Sequence, residues 1–231
     1  MARVSIVVPA LDEAEGIERT LRPLQALRAR GVEVIVVDGG SRDATRALAS
    51  PLADRVLEAP RGRAAQMNAG AAAGRGEVLL FLHADTLLPE GALDAIESAL
   101  ADARHAWGRF DVRIEGASPM LALVAAAMNL RSRATGIATG DQAIFARRAA
   151  FEAAGGFPAI PLMEDLALST ALKRISRPAC LRERVATSGR RWERHGVLRT
   201  VVFMWRLRLA YALGADPGRL ARRYDIRRSA P

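Results

Sequence analysis

Residues Leu79–Leu88 read LLFLHADTLL. An unbroken apolar run of strand length is the pattern of a strand buried on both faces, as in a parallel sheet covered by helices. The run stops abruptly at His83, Ala84, Asp85 and Thr86. In open α/β sheets, the carboxyl ends of strands are where ligands bind. His83 and Asp85 stand at i and i+2, so an extended chain points them the same way, and both types can ligate a metal. The stretch therefore predicts a strand tip that holds a divalent metal and a nucleotide diphosphate.

Working outward, the flanking segments supply a sheet for that strand. Val4–Val8 is a short β-branched run closed by Pro9, and Val32–Val37 is a second, ending in Asp38-Gly39-Gly40-Ser41. Between them, Glu15–Arg30 carries Ile17, Leu21, Leu24 and Leu27 at helical spacing, with Pro23 dividing it and Gly31 ending it. A helix over 43–49 and a short strand over Arg55–Glu58 follow. Arg61–Ala73 reads as a loop entering a helix, and Pro89–Ala101 as a helix with Pro at its start. Strand and helix alternate, the signature of a parallel sheet with crossover helices. The fold class is α/β, a Rossmann-related, mostly parallel central sheet flanked by helices.

The second half differs. A strand is predicted over Ala106–Ile114, an apolar helix over Pro119–Leu130, and a glycine-rich loop running into a short strand over Gly136–Ala146. A helix opens at Met163-Glu164-Asp165, and extended chain covers Cys180–Ser188. Trp192–Leu213 reads as one long amphipathic helix, Asp216–Tyr224 as a short one, and residues 225–231 as a loose basic tail.

Composition narrows the function classes. The 231 residues are 50% hydrophobic and 26% charged, an ordinary globular balance. The net charge is +9, carried almost wholly by arginine, since Lys173 is the only lysine. Arginine grips phosphate with a planar fork, which points to phosphorylated ligands, nucleic acid or an anionic surface. The arginines are scattered with few aromatics among them, which argues against nucleic acid. Cys180 is the only cysteine, so an intramolecular disulfide and a cysteine zinc cluster are excluded and a cytoplasmic setting is expected. No apolar run reaches the about 18 residues that span a bilayer.

Four polar clusters stand at strand ends or loops: Pro9–Glu13, Asp38–Ser41, His83–Thr86 and Glu164-Asp165. An aspartate after a strand is commonly a turn or cap residue. Three of these clusters end successive predicted parallel strands, however, and so converge on one sheet edge. Carboxylates gathered there repel each other unless a cation or a donor-rich ligand joins them.

The ordered motifs VSIVVPALDEAEGI, VIVVDGGSRDAT, GRAAQMNAG, LLFLHADTLLP, TGDQAIFARR, MED and SGRRW resemble those of inverting glycosyltransferases of family 2, with the GT-A fold. More narrowly, the chain is similar to the bacterial group labelled radical-SAM/selenodomain-associated transferase 2. The resemblance implies a catalytic domain over 1–195, with 196–231 a helical extension of the same unit. It implies sugar transfer with inversion from a UDP- or GDP-sugar donor to a small-molecule or lipid-borne hydroxyl acceptor, assisted by Mn2+ or Mg2+. Pro9, Ala10, Asp12, Glu13 and Ala84 would line the donor pocket. Asp38 would accept a hydrogen bond from the base, and Arg61, Arg63 and Asn68 would close over the nucleotide. Asp85 matches the second aspartate of the family's Asp-x-Asp metal motif. His83 replaces the first, and histidine suits manganese-like ions better than magnesium. Asp165 would be the general base, with Glu164 orienting the site. Gly140, Asp141 and Gln142 would border sugar and acceptor. SGRRW stands where processive members carry Gln-x-x-Arg-Trp, so Arg191 would bind diphosphate and Trp192 stack on a sugar, while Ser188 in place of glutamine argues against processive synthesis.

Two rivals stand beside this reading. A sugar-1-phosphate nucleotidyltransferase would carry a glycine-rich basic N-terminal loop, which VVPALDE is not. A nucleotide-sugar-binding module without turnover is suggested by His83 in the Asp-x-Asp position. The arginine-flanked helix over Trp192–Leu213 fits a peripheral contact at the inner face of a membrane, and equally packing on the domain or on a second subunit; packing is the expectation.

Overall fold

The computed structural model describes residues 3–229, with the backbone alone for residue 191 and residues 225–229. From the N-terminus, β1 (Val4–Ala10) is buried along its whole length. Two short helices follow, α1 (Ile17–Leu21) and α2 (Gln25–Arg28), parted at Pro23 as the sequence predicts. Then come β2 (Glu33–Asp38), α3 (Thr45–Ala49), β3 (Arg55–Glu58), α4 (Arg63–Ala73) and β4 (Val78–Phe81). These four strands are mutually parallel, in the order β3-β2-β1-β4. Alternation along them fills both faces. Ile6, Val8, Val34, Val36 and Leu80 enter one core, and Val7, Ile35, Val37, Leu79 and Phe81 the other. This is why the strands read as continuous apolar runs.

A two-residue strand, β5 (Thr86–Leu87), follows the HAD tip and was not legible in the sequence. Next are α5 (Ala92–Ala101), β6 (Trp107–Glu115), α6 (Met120–Thr135), β7 (Phe145–Arg147), α7 (Arg148–Ala153), α8 (Glu164–Ile175) and β8 (Ala179–Ser188). They complete an eight-stranded sheet, ordered β3-β2-β1-β4-β7-β6-β8-β5, in which β7 runs antiparallel to both β4 and β6. The mostly parallel α/β sheet expected from the sequence is present, with its mixed half built from the second half of the chain.

The C-terminal region departs from expectation. The long helix predicted over Trp192–Leu213 is broken at Gly196, whose φ of 78° lies in the left-handed region that glycine occupies cheaply. The result is α9 (Arg190–His195) and α10 (Val197–Ala212). The last helix, α11 (Pro217–Ser229), continues through residues expected to be loose tail. Leu207 of α10 and Leu220, Ala221 and Tyr224 of α11 pack against Leu162 and Met163 in a third apolar cluster. Packing of the amphipathic helix is nonetheless only partial. Thr200 and Leu207 are its buried residues, and most of its apolar stripe faces outward.

One glycine decides how closely α4 approaches the sheet. A methyl group on Gly70 would overlap the Cγ1 atom of Val7. Gly70→Ala is expected to destabilise the fold by about 1–3 kcal/mol, read as a lower denaturant midpoint in chemical unfolding; unchanged stability would mean that α4 is free to move away from β1.

Candidate active site

The parallel strands deliver their carboxyl ends to one cleft of about 610 Å³. Pro9, Ala10 and Glu13 reach it from β1, His83, Ala84 and Asp85 from β4. Arg61, Arg63 and Asn68 line it at the start of α4, and Asp141 and Glu164 come from the second half. Tyr224 of α11 also lines it, a contribution from the C-terminal region that no motif announced.

The HAD tip is held from both sides. The carbonyl of Ala84 accepts the Thr20 hydroxyl at 2.6 Å. The carbonyl of Asp85 accepts the backbone N–H of Ser188 at 3.2 Å, and β5 pairs with the end of β8. The SGRRW motif is thus fastened directly to the strand tip. Within that motif, Arg190 approaches Glu13 at 3.3 Å. Arg191, the residue singled out for diphosphate, has a side chain outside the described residues. Trp192 does not line the cleft; it packs against the main core.

Several predicted ligand residues have structural partners. Asp38 is buried and turned back into its own loop. One oxygen accepts the N–H groups of Gly40 and Ser41 at 2.9 and 3.0 Å, and the other accepts the Ser41 hydroxyl. Asp12 accepts the N–H of Arg42 at 2.8 Å. Asn68 forms a two-way clamp on the Phe157 backbone, at 2.8 and 2.9 Å, while still bordering the cleft. Gln142 is buried in a capping box with Thr139. Gln66, to which no motif gives a role, lines the cleft and donates to the carbonyls of Ala10 and Val37, at 2.8 Å each.

The carboxylates of the second half meet the strand tip. His83 Nδ1 lies 3.3 Å from Asp141, and its ring rests on Gly140, where a methyl would overlap Nε2. The N–H of Gly140 donates to Asp165 Oδ2 at 2.8 Å, and the other oxygen of Asp165 accepts the N–H of Leu166. Glu164 is buried, 3.7 Å from Arg63. Burial, and then the charge of Asp165, push the Glu164 carboxyl above its ordinary value; Arg63 and His83 oppose them. Burial opposes the charge on Arg63, but Tyr224, Glu164, Asp141 and Asp165 more than offset it and hold the guanidinium above its usual range.

Two more cations stand near the same carboxylates. Burial, then the neighbouring Arg208, push Arg131 down to about 10, against the pull of Asp165 and Asp141. Burial lowers Arg208 likewise. Nε and Nη2 of Arg131 and Nε of Arg208 have no hydrogen-bond partner among the described residues. Single arginines on apolar helices give no sequence signal of such a role.

Backbone strain gathers here too. Among the described residues, the non-glycine positions with positive φ are Asp12 (52°), Ala143 (46°) and Met163 (69°). They lie in the loop after β1, beside the Gly140 turn and just before the Glu164-Asp165 helix start. Each costs of order 1–3 kcal/mol, held by the surrounding packing.

The chain belongs to glycosyl transferase family 2, whose family profile matches residues 5–152. An uncharacterized glycosyltransferase of Mycobacterium tuberculosis is 35% identical over 114 residues, 46% of this chain and 44% of that protein. The chain thus spans less than half the length of that curated relative. Two solved structures share the fold. S. aureus TarS 1-349 in complex with UDP-GlcNAc has a TM-score of 0.65 at 18% identity, covering 80% of this chain and 58% of that one. The mannosyltransferase PcManGT from Pyrobaculum calidifontis, in complex with GDP-Man and Mn2+, has a TM-score of 0.60 at 23% identity, covering 80% and 56%. The GT-A-like architecture expected from the motifs is therefore present.

A raised carboxyl pKa makes a pH prediction. The folded state holds the Glu164 proton more tightly than the unfolded chain, so stability rises as pH falls through the folded-state value toward 4.5. Ionised Glu164 is a cost at neutral pH. Glu164→Gln should raise the melting temperature at pH 7, and the gain should shrink as pH falls to the ordinary glutamate value. A constant difference across that range in calorimetry would contradict this.

Proposed function

We propose that the protein transfers a sugar, with inversion, from a nucleotide-sugar donor to a hydroxyl acceptor. The observation that carries the reading is the convergence on one cleft of the strand tips, Arg61 and Arg63 at the start of α4, and Glu164, with Asp165 next to it in the chain and bonded to the Gly140 turn. A helix N-terminus beside two arginines is suited to a diphosphate. UDP or GDP as the nucleotide is supported by the donors bound in the two fold neighbours. Glu13 and the β1–β2 loops would border the nucleoside. The side chain of Asp38 would meet the base only by giving up a bond to its own turn.

Asp165 is assigned as general base. Its carboxylate is oriented by the Gly140 and Leu166 N–H groups. It would take the acceptor's hydroxyl proton as that oxygen attacks the anomeric carbon. The bond from that carbon to the diphosphate oxygen breaks in line, its electron pair leaves on the nucleoside diphosphate, and the configuration inverts. Arg61, Arg63 and the α4 N–H groups would stabilise the charge that develops there.

Among the described residues, no three His, Cys, Asp or Glu side chains gather to hold a metal. His83 is engaged with Asp141 and Gly140, which leaves Asp85 as the carboxylate at the tip. A lone carboxylate completed by substrate phosphates is a habit of Mg2+ sites, so the residues fit a cation jointly held with the donor. When bound, such an ion neutralises diphosphate charge. Calorimetric titration should therefore find Mn2+ binding weak to the protein alone and at least about tenfold tighter with UDP or GDP present, a gain lost in Asp85→Asn. Tight binding without nucleotide would refute the shared site.

A second reading makes Glu164 the base, favoured by its position on the cleft wall and its raised pKa, which suits proton abstraction nearer neutrality. The two separate in transfer assays with a panel of nucleotide sugars. Asp165→Asn should keep donor binding and lose about 100- to 10,000-fold in transfer. If Glu164→Gln does so instead, the roles are exchanged; if no donor binds at all, the enzyme reading fails.

A further inference from the structure

Large apolar residues left exposed are concentrated on two helices that touch each other, α6 and α10. On α10 they fall at Leu198, Val202, Trp205 and Leu209, and Leu213 follows just past its end. Those spacings of three and four put them on one helix face. Trp205 is 66% exposed and Leu213 79%. Leu123 and Leu130 of α6 are each 71% exposed. A soluble surface scatters such residues singly; a contiguous stripe marks an interface.

The charges beside the stripe choose the occupant. Val197–Ala212 exposes Arg199 and Arg206 beside the stripe and contains no acid, whereas Arg208 and, on α6, Arg131 are largely buried near Asp165 and Asp141, and Arg133 pairs with Asp111. A two-fold dimer would lay this stripe on itself and bring the exposed Arg199 and Arg206 of one copy toward those of the other, with no acid on α10 between them. An anionic bilayer surface meets these exposed guanidinium groups with charge of the opposite sign. Arginine is attracted to such a surface, and a tryptophan ring settles at the headgroup level. Among the described residues, no helix is long and apolar enough to cross a membrane, so the contact is one of lying on the surface.

We propose that α10 docks the protein on an anionic lipid surface, with its apolar stripe in the headgroup region and α6 beside it. The opposite face of α10 presents Phe203, Met204 and Leu207 to the cluster containing Leu162 and Met163. That segment runs directly into Glu164-Asp165. Docking would therefore set the acceptor side of the cleft close to the bilayer, in reach of a hydroxyl carried on a lipid. This consequence rests on the reading of Asp165 given above; the docking does not.

Flotation with vesicles tests the docking with no nucleotide sugar present. The protein should float with phosphatidylcholine vesicles containing about one-third phosphatidylglycerol, bind pure phosphatidylcholine at least about tenfold more weakly, and detach as salt rises. Trp205→Ala with Leu209→Ala, both at exposed positions, should weaken binding at least about tenfold while the melting temperature is unchanged. Tryptophan emission should shift to the blue on anionic vesicles, and the shift should vanish in Trp205→Phe. Asp165→Asn should bind vesicles like the unaltered protein, so failure of the catalytic reading leaves this result standing. Absence of binding to anionic vesicles overturns the proposal. So does a dimer in sedimentation velocity that Leu209→Ala dissociates.

Discussion

The register of three parallel strands carries the rest of the molecule. β1 pairs with β2 so that Ala10 lies opposite Asp38, and with β4 so that Val7 lies opposite Phe81. The polar residues that follow each strand are thereby lifted to one edge. A slip of one residue would exchange the two apolar cores face for face and is excluded by the burial of both. Gln66 fastens this edge, since its single amide nitrogen bridges the carbonyls of Ala10 and Val37. The same α4 that supplies Gln66 lies flush on the sheet because Gly70 has no side chain, and its first turn therefore borders the cleft.

The strong positive charge resolves into several different tasks. Arg148 donates to the carbonyls of Ala71, Gly74 and Gly76, at 2.7 to 2.8 Å, and so ties the end of α4 and its following loop to the start of α7. Arg109, wholly buried, and Arg133 share Asp111, joining β6 to α6. Arg63 balances carboxylates in the cleft. Exposed arginines on α10 border an apolar stripe. A net charge of +9 thus gives no indication by itself of a single basic surface; it is the sum of structural clamps, site charges and surface groups.

The fold was largely legible because its cause is local. Val4–Val8, Val32–Val37 and Val78–Leu82 are apolar throughout since both faces of the sheet are covered, and helical spacing between them marks the crossovers. What escaped was set by distant partners. β5 exists because Thr86 and Leu87 meet β8, about a hundred residues later in the chain. The predicted long C-terminal helix ignored the left-handed turn that Gly196 makes. Pro9, Glu13, Arg63 and Asp85 stand at strand ends or at a helix start and line the cleft. Asp38 and Gln142 were not brought to its wall: a carboxylate or amide after a strand has the same sequence whether it faces a ligand or closes its own turn.

By itself, then, the sequence determined the parallel α/β half, the sheet edge on which the strand-end polar residues converge, and the family motifs in their order, because periodicity and strand-end chemistry act over a few residues. Only the tertiary structure decided which polar groups are already occupied. It set His83 against Asp141 and Gly140, oriented Asp165 with the Gly140 N–H, brought Arg190 to Glu13, and brought Tyr224 to the cleft. It also left the stripe of α10 facing outward. These outcomes depend on chain segments far apart in sequence coming into hydrogen-bond or van der Waals range, and no local pattern encodes which of two chemically adequate partners will arrive.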